Sequence, residues 1–268
     1  MIRLAALIPA RSGSERIIGK NLRELNGHPL IAYAIGAAQE AAIFDGIWVS
    51  SDDPLTLEIA EQYGATPILR PLELAHSRAH DMLWVRHALE HLRWGCEDDA
   101  FAIIRPTSPF RRGPWIAEAW DRIRSYPGRL VSIRAMREVT EHPGKMWRPV
   151  HPRIVDEESK RSRIADFVVP LLPFESWSAP WHSMPTQDLP TVFVQTGALE
   201  IAWSRVVLDE DMISALAVIP YLCAAGDPET IDINTEADWA RAVIDFGESW
   251  LAVIDSGEIW LPEVRRTS

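Results

Sequence analysis

Short apolar runs alternate with amphipathic segments along the first half of the chain. The runs hold few polar residues, as expected of strands that are buried on both faces of a parallel sheet. The segments between them carry apolar residues at three- and four-residue spacing, which is typical of helices. The pattern predicts strands at Leu4–Ile8, Ile47–Ser50, Thr66–Leu69, Phe101–Arg105 and Leu130–Arg134. It predicts helices at Leu30–Ala42, Leu55–Tyr63, Ala79–Trp94 and Trp115–Tyr126.

Strands that alternate with helices indicate the α/β class, with a mostly parallel sheet flanked by helices. The helix boundaries carry their own signals. Pro54 and Pro114 stand where a first helical turn loses no hydrogen bond, and Gly64 suits the residue just past a helix end. Further along, Thr235-Glu236-Ala237-Asp238 resembles a capping box and predicts a helix through Ile244.

The middle of the chain, roughly Glu138–Pro190, lacks this periodicity. It is rich in proline and tryptophan. A long irregular stretch inside a compact domain is usually functional or packs on a partner. We therefore predict an α/β core over residues 1–137, an irregular arm over 138–190, and the remainder of the core over 191–268.

Composition and net charge limit the classes of molecule that the protein is expected to bind. With 268 residues and 47% hydrophobic content, the chain can bury one sizeable core. Its net charge of −11 argues against nucleic acid or an anionic membrane as the main partner, although a triphosphate needs only a local basic pocket. Cys96 and Cys223 suggest neither a disulfide framework nor a metal cluster. No apolar run approaches the ~20 residues of a membrane helix, and the N-terminal run is too short for a signal peptide. We expect a soluble, cytoplasmic protein.

The first candidate site follows the first predicted strand, where ligands bind in open α/β sheets. Arg11 and Lys20 supply cations, Ser12 and Ser14 supply donors, and Gly13 and Gly19 permit a close backbone approach to phosphate. The spacing fits neither a P-loop nor the dinucleotide-binding GxGxxG motif. A solvated basic loop is the alternative.

The second candidate site is Ile231-Asp232-Ile233-Asn234-Thr235. Strand-like alternation places Asp232 and Asn234 on one face, opposite Ile231 and Ile233. Two oxygen donors at this spacing suit Mg²⁺, which shares its coordination with substrate phosphates. The alternative is a pair of polar residues that end a strand.

Taken together, the motifs resemble the N-acylneuraminate cytidylyltransferase (CMP-sialic acid synthetase) family. The first loop is similar to the family's I-P-A-R-x-G-S-K-x-I-P-G-K-N signature. The resemblance continues, in family order, through segments 27–35, 49–53, 69–71, 105–111, 187–190, 195–199 and 231–235. It implies a Rossmann-like fold of the nucleotide-diphospho-sugar transferase type, with a small arm that forms a homodimer. It also implies an enzyme that couples CTP to a nonulosonic (sialic-acid-like) 2-keto sugar acid, with Mg²⁺ or Mn²⁺ as cofactor.

The resemblance also implies residue roles. Arg11, Lys20 and Asp232 are the catalytic residues, and Asp232 and Asn234 are the metal ligands. The residues that bind the nucleotide are Ala10, Ser12, Gly13, Ser14, Asn21, Arg70 and Asp81. The residues that bind the sugar acid are Arg105, Thr107, Ser108, Lys145, Gln187, Gln195 and Thr196. For Asp81 the alternative is a helix N-cap, and for Arg105 it is a structural salt bridge.

Several positions depart from the family pattern. Glu15 replaces a lysine, Arg105 replaces a glutamine, and Asn234 replaces an acidic residue. Thr186 stands where many members carry an arginine. These departures leave open which sugar acid is used. They also leave two other interpretations, a nucleotidyltransferase for a Kdo-like acid or another nucleotide, and a non-catalytic nucleotide or sugar sensor.

Overall fold

The computed structural model describes residues 2–96, 98–126, 130–149, 154–155, 162–163, 168–172, 180–223 and 231–244. Within these residues, a central sheet has seven strands, which we label in chain order. They are β1 Arg3–Pro9, β2 Gly46–Ser51, β3 Thr66–Leu69, β4 Asp99–Ile103, β5 Val131–Glu138, β6 Phe193–Trp203 and β7 Ala217–Leu222. The helices are α1 Leu30–Ala41, α2 Pro54–Gln62, α3 Asp81–His91, α4 Gly113–Arg124, α5 Ser204–Leu208 and α6 over residues 236–244.

The sheet order is β7-β5-β6-β4-β1-β2-β3. β1 pairs in parallel with β2 and β4, β2 with β3, and β5 with β7, while β6 runs antiparallel to β4. The register pairs Ala5 with Gly46 and Arg3 with Asp99. The carboxyl ends of β1, β2, β3 and β4 therefore meet at one edge of the sheet.

Alternate residues of β1 pack into different hydrophobic clusters, so both faces of the sheet are covered. Leu4, Ala6 and Ile8 join the cluster that contains residues of α1 and α4, whereas Ala5 and Leu7 join the cluster that contains residues of α3. This explains why the strand reads as a continuous apolar run. The predicted fold class is confirmed.

Local chemistry accounts for the helix boundaries. Asp53 caps α2, its carboxylate accepting from Leu55 N and Thr56 N, with Pro54 at the first helical position. Gly64 has a φ of +87°, as a residue past a helix end often does. Gly113 is the first residue of α4. A glycine is needed at this position because an added Cβ would lie only 2.5 Å from Ala41 N.

Some element boundaries were predicted wrongly. The fourth strand is Asp99–Ile103 rather than Phe101–Arg105, because the chain turns at the Pro106 segment. The fifth extends to Glu138, since it pairs along Ala217–Leu222. Residues 231–234 belong to no helix or strand, so the predicted metal-binding strand is a loop.

Smaller elements complete the described residues. Two-stranded ribbons join Glu24–Leu25 to His28–Pro29, Trp147–Pro149 to Val168–Pro170, and Ile154–Val155 to Ser162–Arg163. Short 3₁₀ helices span Leu72–Leu74, Pro143–Lys145, Trp181–Ser183 and Thr186–Asp188. No helix in the described ranges is long and apolar enough to cross a bilayer.

The chain divides into two compact units. The first comprises Met1–Arg137 and Gln195–Ser268, and the second comprises Glu138–Val194. Within the second unit, His142 Nε2 donates to Pro190 O at 2.9 Å and its Nδ1 accepts from Gly144 N at 2.9 Å. His142 therefore fastens two parts of this unit together. A role of the predicted 138–190 arm in dimerisation stays a prediction.

Candidate active site

The loop after β1 is held by its own polar groups and by Asp52. Ala10 N donates to Ser50 O at 2.9 Å, at the end of β2. Ser12 donates from N and Oγ to the Asp52 carboxylate at 2.8 and 2.5 Å, and Ser14 N donates to Ser12 O at 2.8 Å. These donors, which the sequence assigns to phosphate, are engaged within the protein.

Asn21 closes the same loop. Its buried amide donates from Nδ2 to Arg11 O at 3.1 Å, while Arg11 Nη1 donates to Gly13 O at 2.6 Å. Gly19 takes a φ of +63°, in the left-handed region that favours glycine. The arrangement bends the loop back on itself and keeps the Arg11 side chain beside it.

Lys20 connects this loop to the segment that carries Asp232. Its Nζ donates to Ile233 O at 2.9 Å, between residues far apart in sequence. Burial lowers the pKa of the Lys20 ammonium; Asp232 opposes that effect, whereas Arg16 and Arg11 add to it. A half-buried cation therefore faces the candidate metal ligand.

The Asp232 carboxylate lies close to Gly197 of strand β6 and to the side chain of Asn234. Asn234 Nδ2 donates to Asp232 Oδ2 at 2.8 Å, so the two predicted ligands do lie on one side of their segment. Ile233 N donates to Thr107 O at 2.8 Å, and the Ile233 side chain is fully buried. The alternation seen in the sequence is thus kept without a strand.

A small hydrophobic core supports both the first loop and the Asp232 segment. It contains Ile17 from the loop, Ile233, and Trp239 of α6. Arg23 stacks over Trp239 with 4.2 Å to the ring centroid and pairs with Glu236 at 2.7 Å. Because one cluster packs both segments, their relative position is set by apolar contacts rather than by a ligand.

The start of α6 confirms the predicted capping box. Thr235 N donates to Asp238 Oδ2 at 2.7 Å, and Asp238 N donates to Thr235 Oγ1 at 3.2 Å. Burial would raise the pKa of the Asp238 carboxyl, but its hydrogen bonds from Thr235 and Asn234 lower it. The carboxylate of Asp238 is therefore committed to the helix start.

Gly197 of β6 is expected to tolerate alanine but not valine. A Cβ added there would lie 3.4 Å from Asp232 Oδ2, so a single methyl group fits in contact and a branched side chain displaces the carboxylate. We expect Gly197→Val to lower kcat about 10- to 100-fold, since a misplacement near 1 Å can cost this much. Gly197→Ala should stay within about threefold of wild type. Steady-state kinetics of the CTP-dependent transfer that the family resemblance implies, with thermal melts of both variants, check this. Equal losses in the two variants would contradict it.

Arg70 is buried and bonds to Ser50 near the end of β2. Its Nε donates to Ser50 Oγ at 3.0 Å and its Nη2 donates to Ser50 O at 2.9 Å, with the guanidinium 4.9 Å from the Trp84 ring centroid. Burial lowers the pKa of Arg70 to about 10, although Asp52 and Asp81 oppose it. Arg70 therefore places a buried positive charge near the end of β2.

Arg105 belongs to a chain of ion pairs, so the salt-bridge alternative for it is the arrangement observed. Its Nη2 donates to Asp81 Oδ2 at 2.6 Å and its Nη1 donates to Glu200 Oε1. Glu200 also pairs with Arg134 Nη2 at 2.5 Å. Burial would lower the pKa of Arg105, but Glu200 and Asp81 raise it.

Asp81 is the first residue of α3, and His80 occupies the cap position. Its carboxylate accepts from Trp84 Nε1 at 2.9 Å and from Arg105. The N-cap alternative for Asp81 is therefore wrong. The side chain pairs with Arg105, a position that departs from the family pattern.

The loop after β4 places a buried arginine beside Thr107 and Ser108. Arg111 Nε donates to Ala198 O and its Nη2 donates to Arg105 O at 3.1 Å. Burial lowers the pKa of Arg111 to about 9, Arg105 adds to this and Asp232 opposes it. Among the described residues, Arg111 Nη1 and Ser108 Oγ are buried without a hydrogen-bond partner.

Gln195 and Thr196 begin the part of β6 that belongs to the first unit. Gln195 Oε1 accepts from Arg134 Nη1, and Thr196 Oγ1 donates to Ala135 O at 3.4 Å. Gln195 is thus attached to the Arg105–Glu200–Arg134 series of ion pairs, whereas Thr196 bonds to the neighbouring strand β5.

Lys145 and Gln187 belong to the second unit. Lys145 Nζ donates to His182 O at 3.0 Å and to Met184 O. Gln187 lies in the 3₁₀ helix Thr186–Asp188 and is exposed. Roles of both residues in binding a sugar acid stay predictions.

The donors near Asp232 fit a divalent ion that is shared with a ligand. Asp232 Oδ1 is buried and finds no hydrogen-bond partner in the described part of the chain, which leaves it open to a cation. No group of three His, Cys, Asp or Glu side chains in that part is arranged to hold an ion alone. Mg²⁺ commonly binds through one or two carboxylates, with phosphates and waters completing its shell. Ligation by Asn234 requires its amide to turn Oδ1 towards the ion.

Sequence reasoning missed Asp52, Arg111 and Glu200 as site residues. Asp52 directly follows β2 and Arg111 follows β4, so their position at the carboxyl edge of the sheet is a signal that identifies them. Glu200 lies inside β6, where an isolated acidic residue carries no such signal.

Comparison with known proteins gives a family and several full-length relatives. The model of the cytidylyltransferase family matches residues 5–83. A CMP-N,N'-diacetyllegionaminic acid synthase from Legionella pneumophila is 31% identical over 245 residues, which is 89% of this chain and 94% of the relative. A pseudaminic acid cytidylyltransferase from Campylobacter jejuni is 44% identical over 221 residues, which is 80% of this chain and 86% of the relative.

Other matches are partial or structural. An N-acylneuraminate cytidylyltransferase from Escherichia coli is 41% identical over 117 residues, which is 44% of this chain but only 27% of that relative's length. The structure of a CMP:2-keto-3-deoxy-manno-octonic acid synthetase complexed with CTP superposes with a TM-score of 0.63 at 14% identity. That match covers 92% of this chain and 99% of the other, and at this identity it supports the fold alone.

Proposed function

Because the chain belongs to the cytidylyltransferase family, we propose that it couples CTP to a nonulosonic, sialic-acid-like 2-keto sugar acid and releases pyrophosphate. One of the two relatives that match over most of their length is named a CMP-N,N'-diacetyllegionaminic acid synthase. The other is named a pseudaminic acid cytidylyltransferase. The resemblance to this family, expected from the motifs, is thereby confirmed.

The contact between Lys20 and the Asp232 segment is the observation that carries the proposal. Lys20 Nζ bonds to Ile233 O at 2.9 Å, next to a carboxylate whose buried oxygen is unsatisfied within the described residues. A cation and a carboxylate that meet at the ligand edge of an α/β sheet suit a metal–triphosphate complex, in which both kinds of charge are needed.

The residues divide the work of transfer by position. Arg11 and Lys20 would neutralise phosphate oxygens, and buried Arg70 would add positive charge near the end of β2. Attack by the anomeric hydroxyl on the α-phosphorus, with pyrophosphate leaving, asks the protein mainly for alignment and charge neutralisation. Asp232, with Asn234, would hold a divalent ion such as Mg²⁺ or Mn²⁺, which phosphoryl-transfer sites commonly share with substrate phosphates. When bound, such an ion stabilises the negative charge that develops on the phosphates.

A substrate panel tests the proposal. Pyrophosphate release is measured with CTP, UTP, GTP and ATP against sialic, legionaminic, pseudaminic and Kdo-type acids. We expect turnover with CTP and one or more nonulosonic acids, and at least about 100-fold slower turnover with the other nucleotides because a buried polar site rejects a base that leaves its groups unpaired. Binding of CTP without turnover of any acid would favour the non-catalytic alternative. Faster turnover with a Kdo-type acid would favour the other sugar.

We also propose a homodimer built by the second unit, in a cytoplasmic protein that draws on cytoplasmic CTP. Four large apolar side chains are exposed in this unit: Trp147, Val168, Leu171 and Phe193. Exposed apolar surface of this kind favours an interface with a second copy of the protein. Sedimentation equilibrium is expected to give twice the mass of the 30.2 kDa chain. A monomer at micromolar concentration would contradict it.

A further inference from the structure

The ion-pair chain around Arg105 has a buried inner part and an exposed outer end. The side chains of Glu200 and Arg134 are 8% and 12% exposed, that of Arg105 is 21% exposed, and that of Asp81 is 48% exposed. Arg134 is further held by Gln195 and by Ser214, to which its Nε donates at 2.7 Å. The inner three groups are therefore fixed from several sides.

The charges in this series of ion pairs do not balance without Asp81. Arg105, Glu200 and Arg134 together carry one net positive charge, and the Asp81 carboxylate neutralises it. Pairs that face solvent contribute little to stability because water competes for both partners, whereas breaking a buried pair costs much more. Asp81 is thus the partner that Arg105 can release most easily.

The exposed end of the chain lies at the ligand edge of the sheet. Arg105 follows β4, which is the neighbour of β1, and the loop after β1 carries Arg11 and Lys20. Asp81 opens α3, close enough to Arg70 for their charges to interact. A carboxylate bound by Arg105 in place of Asp81 would therefore lie beside the proposed triphosphate site.

We propose that Asp81 is an internal placeholder for the carboxylate of the sugar acid, which displaces Asp81 from Arg105 while Arg105 keeps its bond to Glu200. This inference rests on the proposed function, because it assumes an acidic acceptor. Asp81 keeps its second oxygen on Trp84 Nε1 and needs to give up only one contact. Arg105 is then the residue that recognises the acid, and Asp81 is the residue that sets its specificity.

The exchange selects for acids by a simple charge argument. A substrate carboxylate replaces one anion on Arg105 with another, so the net charge of the ion-pair series is preserved. A neutral sugar leaves the Arg105–Asp81 pair intact and gains nothing from it. Acceptors without a carboxylate are therefore rejected even where the rest of the sugar fits.

Asp81→Asn is expected to lower KM for the sugar acid about fivefold, because a competing, partly exposed carboxylate is removed. The asparagine can still accept from Trp84 Nε1, so the start of α3 should be kept. Arg105→Gln is expected to raise KM for the acid about 10- to 100-fold, the usual range for a lost charge-assisted bond. Arg105→Lys should recover only part of this, since lysine lacks the planar fork.

The experiment is a double-mutant cycle on steady-state kinetics with the acid that the wild type turns over fastest. In the Arg105→Gln background, Asp81→Asn should no longer lower KM for the acid. Asp121→Asn, which removes a carboxylate from the exposed Asp121–Arg124 pair on α4, is the matched control and should leave both KM values unchanged. Thermal melts of each variant check the fold.

Three outcomes would overturn the inference. One is an unchanged or raised KM for the acid in Asp81→Asn, another is a change confined to KM for CTP, and the third is additive effects in the cycle. Each of these leaves CTP-dependent turnover by the wild type standing, and with it the proposed function. Absence of turnover by the wild type with every acid would instead overturn the proposed function, and this inference with it.

Discussion

Asp232→Asn is expected to lower kcat about 10²- to 10³-fold, the usual cost of losing one electrostatic stabiliser of a transition state. The substitution keeps the shape of the side chain and removes its charge, so the proposed divalent ion loses its carboxylate ligand. It also removes the carboxylate that opposes the lowered pKa of buried Arg111. We therefore expect the free energy of unfolding to fall by about 1–3 kcal/mol. Pyrophosphate release over a series of Mg²⁺ concentrations and urea unfolding measure the two effects.

Asn234→Ala is the matched control in the same segment. It removes the hydrogen bond to Asp232 Oδ2 but no charge, so the loss of kcat should stay below about tenfold. A higher Mg²⁺ requirement is expected in both variants, and the larger increase in Asp232→Asn, because that substitution removes the charged ligand. Equal kinetics of Asp232→Asn and wild type at all Mg²⁺ concentrations would remove Asp232 from the site.

Lys20→Met is expected to lower kcat/KM for CTP about 10²- to 10³-fold, because it deletes the cation proposed to contact the triphosphate and retains the apolar stem. Stability should change by less than about 1 kcal/mol, since burial already disfavours the charged form of this side chain and one net hydrogen bond is lost. Stopped assays of pyrophosphate release and chemical unfolding provide both values. Lys20→Arg should keep more activity than Lys20→Met.

Arg124→Ala serves as the control for Lys20. It removes a cation from the exposed face of α4 and should leave kcat/KM within about twofold, because exposed pairs contribute little. If Lys20→Met kept near-wild-type activity, the first loop would have no part in binding the triphosphate. A loss of stability as large as the loss of activity would point to a structural role instead.

The central elements of the first half follow from local pattern. β1, β2 and β3 lie where the apolar runs predict them, and α1 and α2 begin within a residue of their predicted starts. Strands buried on both faces are apolar throughout, and their helices carry clear caps, so each element is recognisable by itself. By contrast, β6 and β7 were not predicted; β6 carries Glu200 within its length and runs antiparallel at the side of β4.

Parts of the candidate site were also open to prediction. Arg11 and Lys20 lie in the loop that follows the buried strand β1, and parallel strands bring their carboxyl ends together. The alternation around Asp232 and Asn234 predicted that their side chains share one side, although the segment is not a strand. Their chemical roles stay predictions that the variants above test.

The amino-acid sequence by itself determined the fold class, the helix caps and the loop after β1, because these depend on contacts between residues close along the chain. Tertiary structure alone decided that Asp52 holds Ser12, that Arg105 pairs with Asp81 and Glu200, and that Lys20 meets the Asp232 segment. These contacts join residues that are 24 to 213 positions apart in the sequence. Their pairing depends on which strands become neighbours in the sheet, and no local pattern of hydrophobic and polar residues records that order.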